Sequence, residues 1–215
     1  MTYTLYYSPG MASLAVHWML IELDVPFDVR PVDLKAGAQR SADYLRMNPS
    51  GRVPTLVVDG VPHGESAALL MLLAERHPEA GLAPSPGSPA RAEWLELMIY
   101  LANGLLPAMR NWFYAGIDGD PTGADAVKAL ARAQIEAVME RLDRRLGDGR
   151  AYLLGERPST ADFLALMLMR WSRSMPRPAT TWPHLLPYIE RLRARPAFIE
   201  LNAREGLTEW LNPPA

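Results

Sequence analysis

The chain of 215 residues contains no cysteine. This absence excludes disulfide bonds, thiolate metal sites and cysteine nucleophiles. The histidines are too few and too far apart to form a local metal motif; they are His17, His63, His77 and His184. We therefore expect no bound metal.

An excess of charge and long apolar runs are also missing. With 22 Lys and Arg against 24 Asp and Glu, the net charge is −2, and no basic stripe indicates a nucleic-acid partner. No apolar run is long enough to span a membrane, and the N-terminus MTYTLYYSPG lacks the regions of a signal peptide. We expect a soluble, cytoplasmic protein with no membrane or nucleic-acid partner.

The composition and the pattern of the first third favour a globular fold that begins with an α/β domain. Apolar residues make up 49% and charged residues 21% of the chain. Residues rich in β-formers alternate with residues of helical periodicity. The predicted order is a strand (Thr2–Tyr7), a helix (Ser13–Leu23), a strand (Phe27–Val32), a loop (Leu45–Ser50), a hairpin (Thr55–Val58 with Val61–His63) and a helix (Ser66–His77).

A proline-rich break separates this region from a helical remainder. Prolines recur through residues 78–89, so the segment suits a linker. Beyond it the pattern predicts helices only, at Ala90–Tyr114, Ala124–Leu146, Ser159–Ser174, His184–Arg195 and Phe198–Arg204. Gly104 and Pro107 predict a kink in the first of these helices. The spacing of Ser159 and Asp162 predicts a capping box with a structural role.

Four motifs in this order resemble cytosolic glutathione transferases. They are YYSPGMASL at 6–14, NPSGRVPTL at 48–56, Glu65-Ser66, and LGERPSTAD at 154–162. The first of them is similar to the first loop of the bacterial beta class. The resemblance implies a thioredoxin-like glutathione-binding domain with a mixed four-stranded sheet at 1–78, a linker at 79–89, and an all-helical domain at 90–215.

The resemblance also implies where the ends of glutathione bind. A cis bond between Val53 and Pro54 would turn the Val53 backbone outward to pair with the tripeptide. Glu65 would pair with the ammonium of the γ-glutamyl group. The helix N-terminus and the Ser66 hydroxyl would receive its carboxylate. Ser66 is also expected to be the N-cap of its helix, and the two roles are compatible.

Two basic residues are candidates for the glycyl end of glutathione. Lys35 matches a lysine of the family that reaches the glycyl carboxylate. Arg52 is placed to serve an acidic end of the ligand. For each of them, a solvated surface side chain is the alternative interpretation.

The sulfur site departs from the family pattern. Beta-class proteins carry a cysteine where this chain has Ala12, so mixed-disulfide chemistry through the protein is excluded. Ser13 is the candidate stabiliser of the thiolate, assisted by the backbone N–H groups of residues 11–13. The alternative is that Ser13 is only an N-cap. Tyr7 is a second candidate, and its alternative is a packed aromatic side chain of the first strand.

The second substrate is expected to be a small hydrophobic electrophile bound between the domains. Met11, Asn103 and Trp112 are the candidate contacts, and core packing is the alternative for the aromatic side chain. Glu96 and Asn103 stand where the beta class has Asn and His, and no Lys follows. The resemblance thus implies a homodimeric transferase for detoxification. A non-catalytic glutathione binder and a dimeric interaction scaffold remain the alternatives.

Overall fold

The computed structural model describes residues 1–118 and 120–211. Its sheet has the strand order β2-β1-β3-β4, built from β1 (Tyr3–Tyr7), β2 (Asp28–Pro31), β3 (Thr55–Val58) and β4 (Val61–His63). β1 pairs in parallel with β2 and antiparallel with β3, and β3 pairs antiparallel with β4. The predicted mixed four-stranded sheet of a thioredoxin-like domain is confirmed.

The sheet is centred on two apolar strands. Leu5 of β1 and Leu56 of β3 are paired across the ladder and fully buried. The β3–β4 hairpin turns at Asp59 and Gly60, whose φ angles are 50° and 87°. A two-residue hairpin turn of this hand needs positive φ at both positions, which Asp and Gly tolerate. The sequence signal for this hairpin was therefore sound.

The first helix, α1 (Leu14–Glu22), is the most enclosed element of the sheet-containing part. Every residue from 14 to 20 is buried, and all of them except His17 are apolar. It packs against α3 (Ser66–Arg76) and α9 (Pro196–Glu205). The Trp18 and Phe198 rings meet with centroids 4.9 Å apart. Arg195, just before α9, forms an ion pair with Glu22.

Because of this packing, the first of the chain's two compact units is built from two separate stretches of sequence. Among the described residues, the first unit contains Met1–Gly81 and 193–211, and the second contains those within Leu82–Leu192. Predicted segment 90–215 thus includes a last helix that packs with the first unit. The division into a glutathione-binding domain at 1–78, a linker at 79–89 and a helical domain at 90–215 remains a prediction.

The second unit is helical, as expected. It contains α4 (Ala90–Tyr100), a π-helical turn (Leu101–Leu105), α5 (Leu106–Asp118), α6 (Ala124–Leu146), α7 (Thr160–Trp171) and most of α8 (Leu185–Arg193). The interruption predicted around Gly104 is this π-helical turn. The capping box of Ser159 and Asp162 is present at the start of α7. Residues 160–170 are all buried, in agreement with the apolar sequence of that helix.

One short helix was not predicted from the sequence. α2 (Ala42–Met47) overlaps the segment that was expected to be a loop. Its cap is Ser41, whose side chain accepts a hydrogen bond from the Tyr44 N–H at 3.2 Å. Six residues carry too little periodicity to predict a helix, so the Asn48-Pro49 loop signal dominated. Among the helices of residues 1–118 and 120–211, none has the length and apolar character needed to cross a membrane.

Candidate functional site

The segment between α2 and β3 carries Val53 and Pro54, and the peptide bond between them is cis. This is the geometry that the sequence resemblance implied. Val53 and Pro54 are buried, while Arg52 is exposed. Val53 packs in a small core with Val32 and Tyr44. The side chain of Val53 therefore faces protein, which leaves the backbone as the part that can serve a ligand.

Gly51 shapes the approach to this segment. Its φ is +60°, and a Cβ atom there would lie 3.3 Å from the Gln39 carbonyl oxygen and 3.3 Å from a Leu45 methyl group. Both the conformation and the space favour glycine. The Gly51 N–H donates to the Asn48 carbonyl at 3.0 Å. The glycine of the NPSGRVPTL motif is thus explained by backbone geometry.

The N-terminus of α3 carries Glu65 and Ser66. The expectation that Ser66 is the N-cap is wrong: Glu65 holds that position and Ser66 begins the helix. Glu65 has φ 66°, an uncommon conformation for a side chain larger than glycine. The Ser66 hydroxyl donates to the Ala12 carbonyl at 2.7 Å. Its proton is therefore engaged, and the helix N–H groups remain the donors for a carboxylate.

That same hydrogen bond joins the helix end to the first loop, residues 8–13. The loop is closed by the N–H of Met11 donating to the Ser8 carbonyl at 3.1 Å. In the described part of the chain, the N–H groups of Ala12 and Ser13 have no acceptor. Two amides thus lie beside the position where the beta class has its cysteine. Such donors are suited to an anionic sulfur.

Ser13 is fully buried, and its hydroxyl is engaged within the loop. It donates to the Ser8 carbonyl and accepts from the Ser8 N–H, both at 3.2 Å. The expected N-cap bond is not formed, although Ser13 does occupy the position before α1. Contact of this hydroxyl with a ligand requires it to leave Ser8. The loop conformation itself depends on Ser13.

Tyr7 lies at the end of β1 and is half-buried. Its ring packs on the His17 ring, with centroids 5.3 Å apart. Met11, in the first loop, is 40% exposed. Lys35 is exposed, and its backbone N–H donates to the Asp33 side chain at 2.9 Å. These positions are compatible with ligand contact and also with ordinary surface roles.

A buried carboxylate that sequence reasoning missed braces the first loop. Glu205, near the end of α9, accepts the Gly10 N–H at 2.8 Å and contacts Nδ1 of His17 at 2.8 Å. Both side chains of this acid–imidazole pair are buried. The two residues are 188 positions apart, so no local signal connects them. His17 itself is buried, with 1% of its surface exposed.

Asn103 and Trp112 belong to the second unit. Asn103 is exposed on the π-helical turn, and Trp112 is half-buried on α5. Glu96 of α4 pairs with Arg141 of α6 at 2.9 Å. Within the first unit, by contrast, the hydrogen bond from Ser66 to Ala12 connects the sites predicted for the γ-glutamyl group and for sulfur.

The cis-proline segment, the N-terminus of α3 and the first loop with its open amides all belong to the unit that contains the mixed sheet. Residues 12–76 match the family model "Glutathione S-transferase, N-terminal domain", and residues 124–212 match "Glutathione S-transferase, C-terminal domain". The chain belongs to the glutathione S-transferase family.

Relatives agree over most of their length. A glutathione S-transferase of Xanthomonas campestris pv. campestris is 33% identical over 170 residues, which cover 78% of this chain and 81% of the relative. A sphingomonad glutathione S-transferase complexed with glutathione is 31% identical, with a TM-score of 0.84 and coverage of 95% and 100%. The bacterial beta-class enzyme of Sphingomonas chungbukensis is 30% identical, with a TM-score of 0.83 and the same coverage.

Proposed function

We propose that this chain binds glutathione on its first unit and promotes attack of the thiolate on an apolar electrophile. The observation that carries the proposal is the 2.7 Å hydrogen bond from Ser66 to Ala12. It sets the helix end that suits the γ-glutamyl carboxylate beside the loop amides that suit the sulfur. One extended tripeptide can then satisfy both.

The zwitterionic end of glutathione is held at α3. The open N–H groups of the first helical turn and the helix dipole attract its carboxylate. The exposed Glu65 carboxylate pairs with its ammonium group. The Val53 backbone pairs with the middle of the tripeptide, and Lys35 with Arg52 serves the glycyl end.

The sulfur is activated by the first loop. A thiolate is the reactive form of glutathione, and donors held in place lower the pKa of the thiol. The amides of Ala12 and Ser13 are such donors. The Ser13 hydroxyl joins them when it is released from Ser8, and Tyr7 is the rival donor.

The pKa of bound glutathione, read from thiolate absorbance, tests this assignment. We expect a pKa at least about one unit below that of the free thiol, worth ~1.4 kcal/mol. Ser13→Ala should raise it if the hydroxyl acts on sulfur, and Tyr7→Phe is the matched hydroxyl deletion. If neither variant changes a lowered pKa, the amides alone are responsible. A wild-type pKa equal to that of free glutathione would reject activation.

A non-catalytic glutathione binder is the second candidate. It is favoured by Ala12 in place of a thiol and by the engaged hydroxyl of Ser13. The two functions separate when turnover of a panel of electrophiles is measured on protein that binds glutathione. Binding without turnover of any electrophile would select the binder.

The electrophile contacts at Met11, Asn103 and Trp112, the cytoplasmic location and the role in detoxification are parts of the same proposal. So is the homodimer, which is supported by the exposed apolar side chains of Leu95 and Ile99, four residues apart on α4. A third possibility, a scaffold without ligand binding, predicts a dimer that glutathione does not stabilise. Sedimentation with and without glutathione distinguishes these outcomes.

A further inference from the structure

The side chain of Asn48 is buried directly behind the cis-proline segment. Its amide nitrogen donates to the Arg52 carbonyl at 2.9 Å and to the Thr55 hydroxyl oxygen at 3.0 Å. Its amide oxygen accepts from the N–H and the hydroxyl of Ser50, at 3.1 and 2.6 Å. This one side chain thus holds both ends of residues 50–55.

Tyr44 reinforces the same segment from α2. Its hydroxyl donates to the Arg52 carbonyl at 2.8 Å and lies 2.9 Å from the Thr55 hydroxyl oxygen. Because the single Tyr44 proton goes to Arg52, the Thr55 proton must complete the second bond. Burial raises the pKa of Tyr44 above its usual value, so its hydroxyl stays protonated and remains a donor at neutral pH.

We propose that Tyr44, Asn48 and Thr55, here called the polar hub, position the 52–54 backbone for pairing with glutathione. The hydrogen bonds of the hub form a closed ring. Asn48 donates to Thr55, and Thr55 donates to Tyr44. The Arg52 carbonyl closes the ring by accepting from both Tyr44 and Asn48. This inference rests on the proposed function. The three residues are positioning residues, because they act on the ligand through the backbone of Arg52 and its neighbours.

The distribution of the hub's partners supports positioning over simple core stability. Outside the hub, its side chains bond to the carbonyls of Arg52 and Pro54 and to the N–H and hydroxyl of Ser50, in the stretch before β3 begins. No strand ladder orders these residues, so the hub supplies the order that a bound peptide strand needs. A segment fixed before binding loses less entropy when the ligand arrives.

The hub also touches the second half of the site. A Cβ atom added at Gly64 would lie 3.4 Å from the Asn48 amide nitrogen. Gly64 directly precedes Glu65, the expected partner of the ligand ammonium group. Asn48 therefore lies beside Gly64, next to the residue expected to pair with the ligand.

Tyr44→Phe and Thr55→Val delete hub hydroxyls with little change in shape. We expect each to raise the Kd and KM for glutathione roughly 3- to 10-fold, the value of one hydrogen bond, with kcat changed less than about twofold. The matched control is Tyr188→Phe. It deletes a buried tyrosine hydroxyl that donates to Asp162 at 3.0 Å in the second unit, and it should lower stability without changing Kd.

A second pair of variants guards against misfolding. Asn48→Asp replaces the amide nitrogen that donates within the hub by a carboxylate oxygen. Asn202→Asp makes the same change at a buried amide of α9. In the folded variants, amide hydrogen exchange at Ser50 and Gly51 should accelerate for the hub changes only. Hub variants with unchanged Kd and exchange, but lowered thermal stability, would overturn the positioning role while leaving the proposed function intact. A wild-type chain that binds no glutathione would overturn both.

Discussion

At the scale of single residues, Glu65 shows a conflict between backbone and ligand chemistry. Its φ is 66°, which lies in a sparsely populated region of backbone conformation. For a residue with a Cβ atom, such a conformation costs about 1–3 kcal/mol. Its neighbour Ser66 starts α3 and bonds to the first loop. The proposed role of the Glu65 carboxylate in binding glutathione gives a reason for a glutamate in such a conformation.

Glu65→Gly should therefore move stability and affinity in opposite directions. Glycine relieves the positive φ, so we expect the free energy of unfolding to rise by about 1 kcal/mol. Loss of the carboxylate should weaken glutathione binding by about tenfold, the value of a charge-assisted hydrogen bond. Urea unfolding and calorimetric titration measure the two effects.

Glu65→Gln is the control, because it retains the backbone conformation and removes only the charge. It should weaken binding without raising stability. A fall in stability for Glu65→Gly would mean that the conformation at this position carries no strain.

Sequence alone was informative at residues whose role is a backbone requirement. Gly51 and Pro54 were identified by the motif, and the structure explains Gly51 by its positive φ. The roles of hydroxyl groups were harder to predict, since a hydroxyl can turn toward several partners. Ser66 was expected to cap a helix and instead bonds to Ala12, and Ser13 bonds to Ser8.

At the scale of elements, α7 depends on one buried carboxylate. Asp162 accepts from the backbone N–H groups of Ser159 and Leu153, at 2.7 and 2.8 Å, and from Tyr188 at 3.0 Å. It therefore connects the start of α7 to the preceding turn and to α8. Burial raises the pKa of Tyr188 well above its usual value, which keeps that donor protonated.

Asp162→Ala should lower the free energy of unfolding by roughly 3 kcal/mol or more, because it leaves several buried donors without an acceptor. Asp148→Ala is the comparison: that carboxylate is half-exposed and pairs with Arg150, which holds its pKa at about 2. Its loss should lower the free energy of unfolding far less, because an exposed ion pair contributes little to stability. Equal losses in denaturant unfolding would show that α7 does not depend on its buried acid.

Elements with long periodic signals were predicted well. The limits of α6, Ala124–Leu146, agree with the sequence prediction, since 23 residues supply many turns of periodicity. α2 was missed because six residues supply fewer than two turns. The polar hub was missed with it, since Tyr44 and Asn48 lie in or beside that helix.

At the scale of the whole molecule, the first unit needs the end of the chain. α1 is buried along residues 14–20, and α9 covers part of it through the contact of Trp18 with Phe198. The sequence indicated a helix at the end of the chain but could not assign it to a unit, because the partner helix is more than 170 residues away. Long-range contacts of this kind leave no periodic signal.

A fragment of residues 1–81 should therefore fail to unfold cooperatively. The same fragment joined by a flexible linker to residues 193–211 should regain cooperative unfolding, since α9 restores the cover of α1 and Glu205 again bonds to the first loop. Circular dichroism during urea titration is the measurement. A fusion carrying Phe198→Asp and Glu205→Ala is the control and should resemble the short fragment. Cooperative unfolding of residues 1–81 alone would contradict the dependence on α9.

Alanine at position 12, whose carbonyl oxygen accepts the hydrogen bond from Ser66, has a consequence for redox biology. With no cysteine in the chain, oxidised glutathione has no thiol here with which to exchange. It therefore cannot form a mixed disulfide with this chain. Binding of glutathione by this protein is thus independent of disulfide exchange with the protein. Any sulfhydryl group titrated in a mixture of the purified protein and glutathione belongs to the ligand.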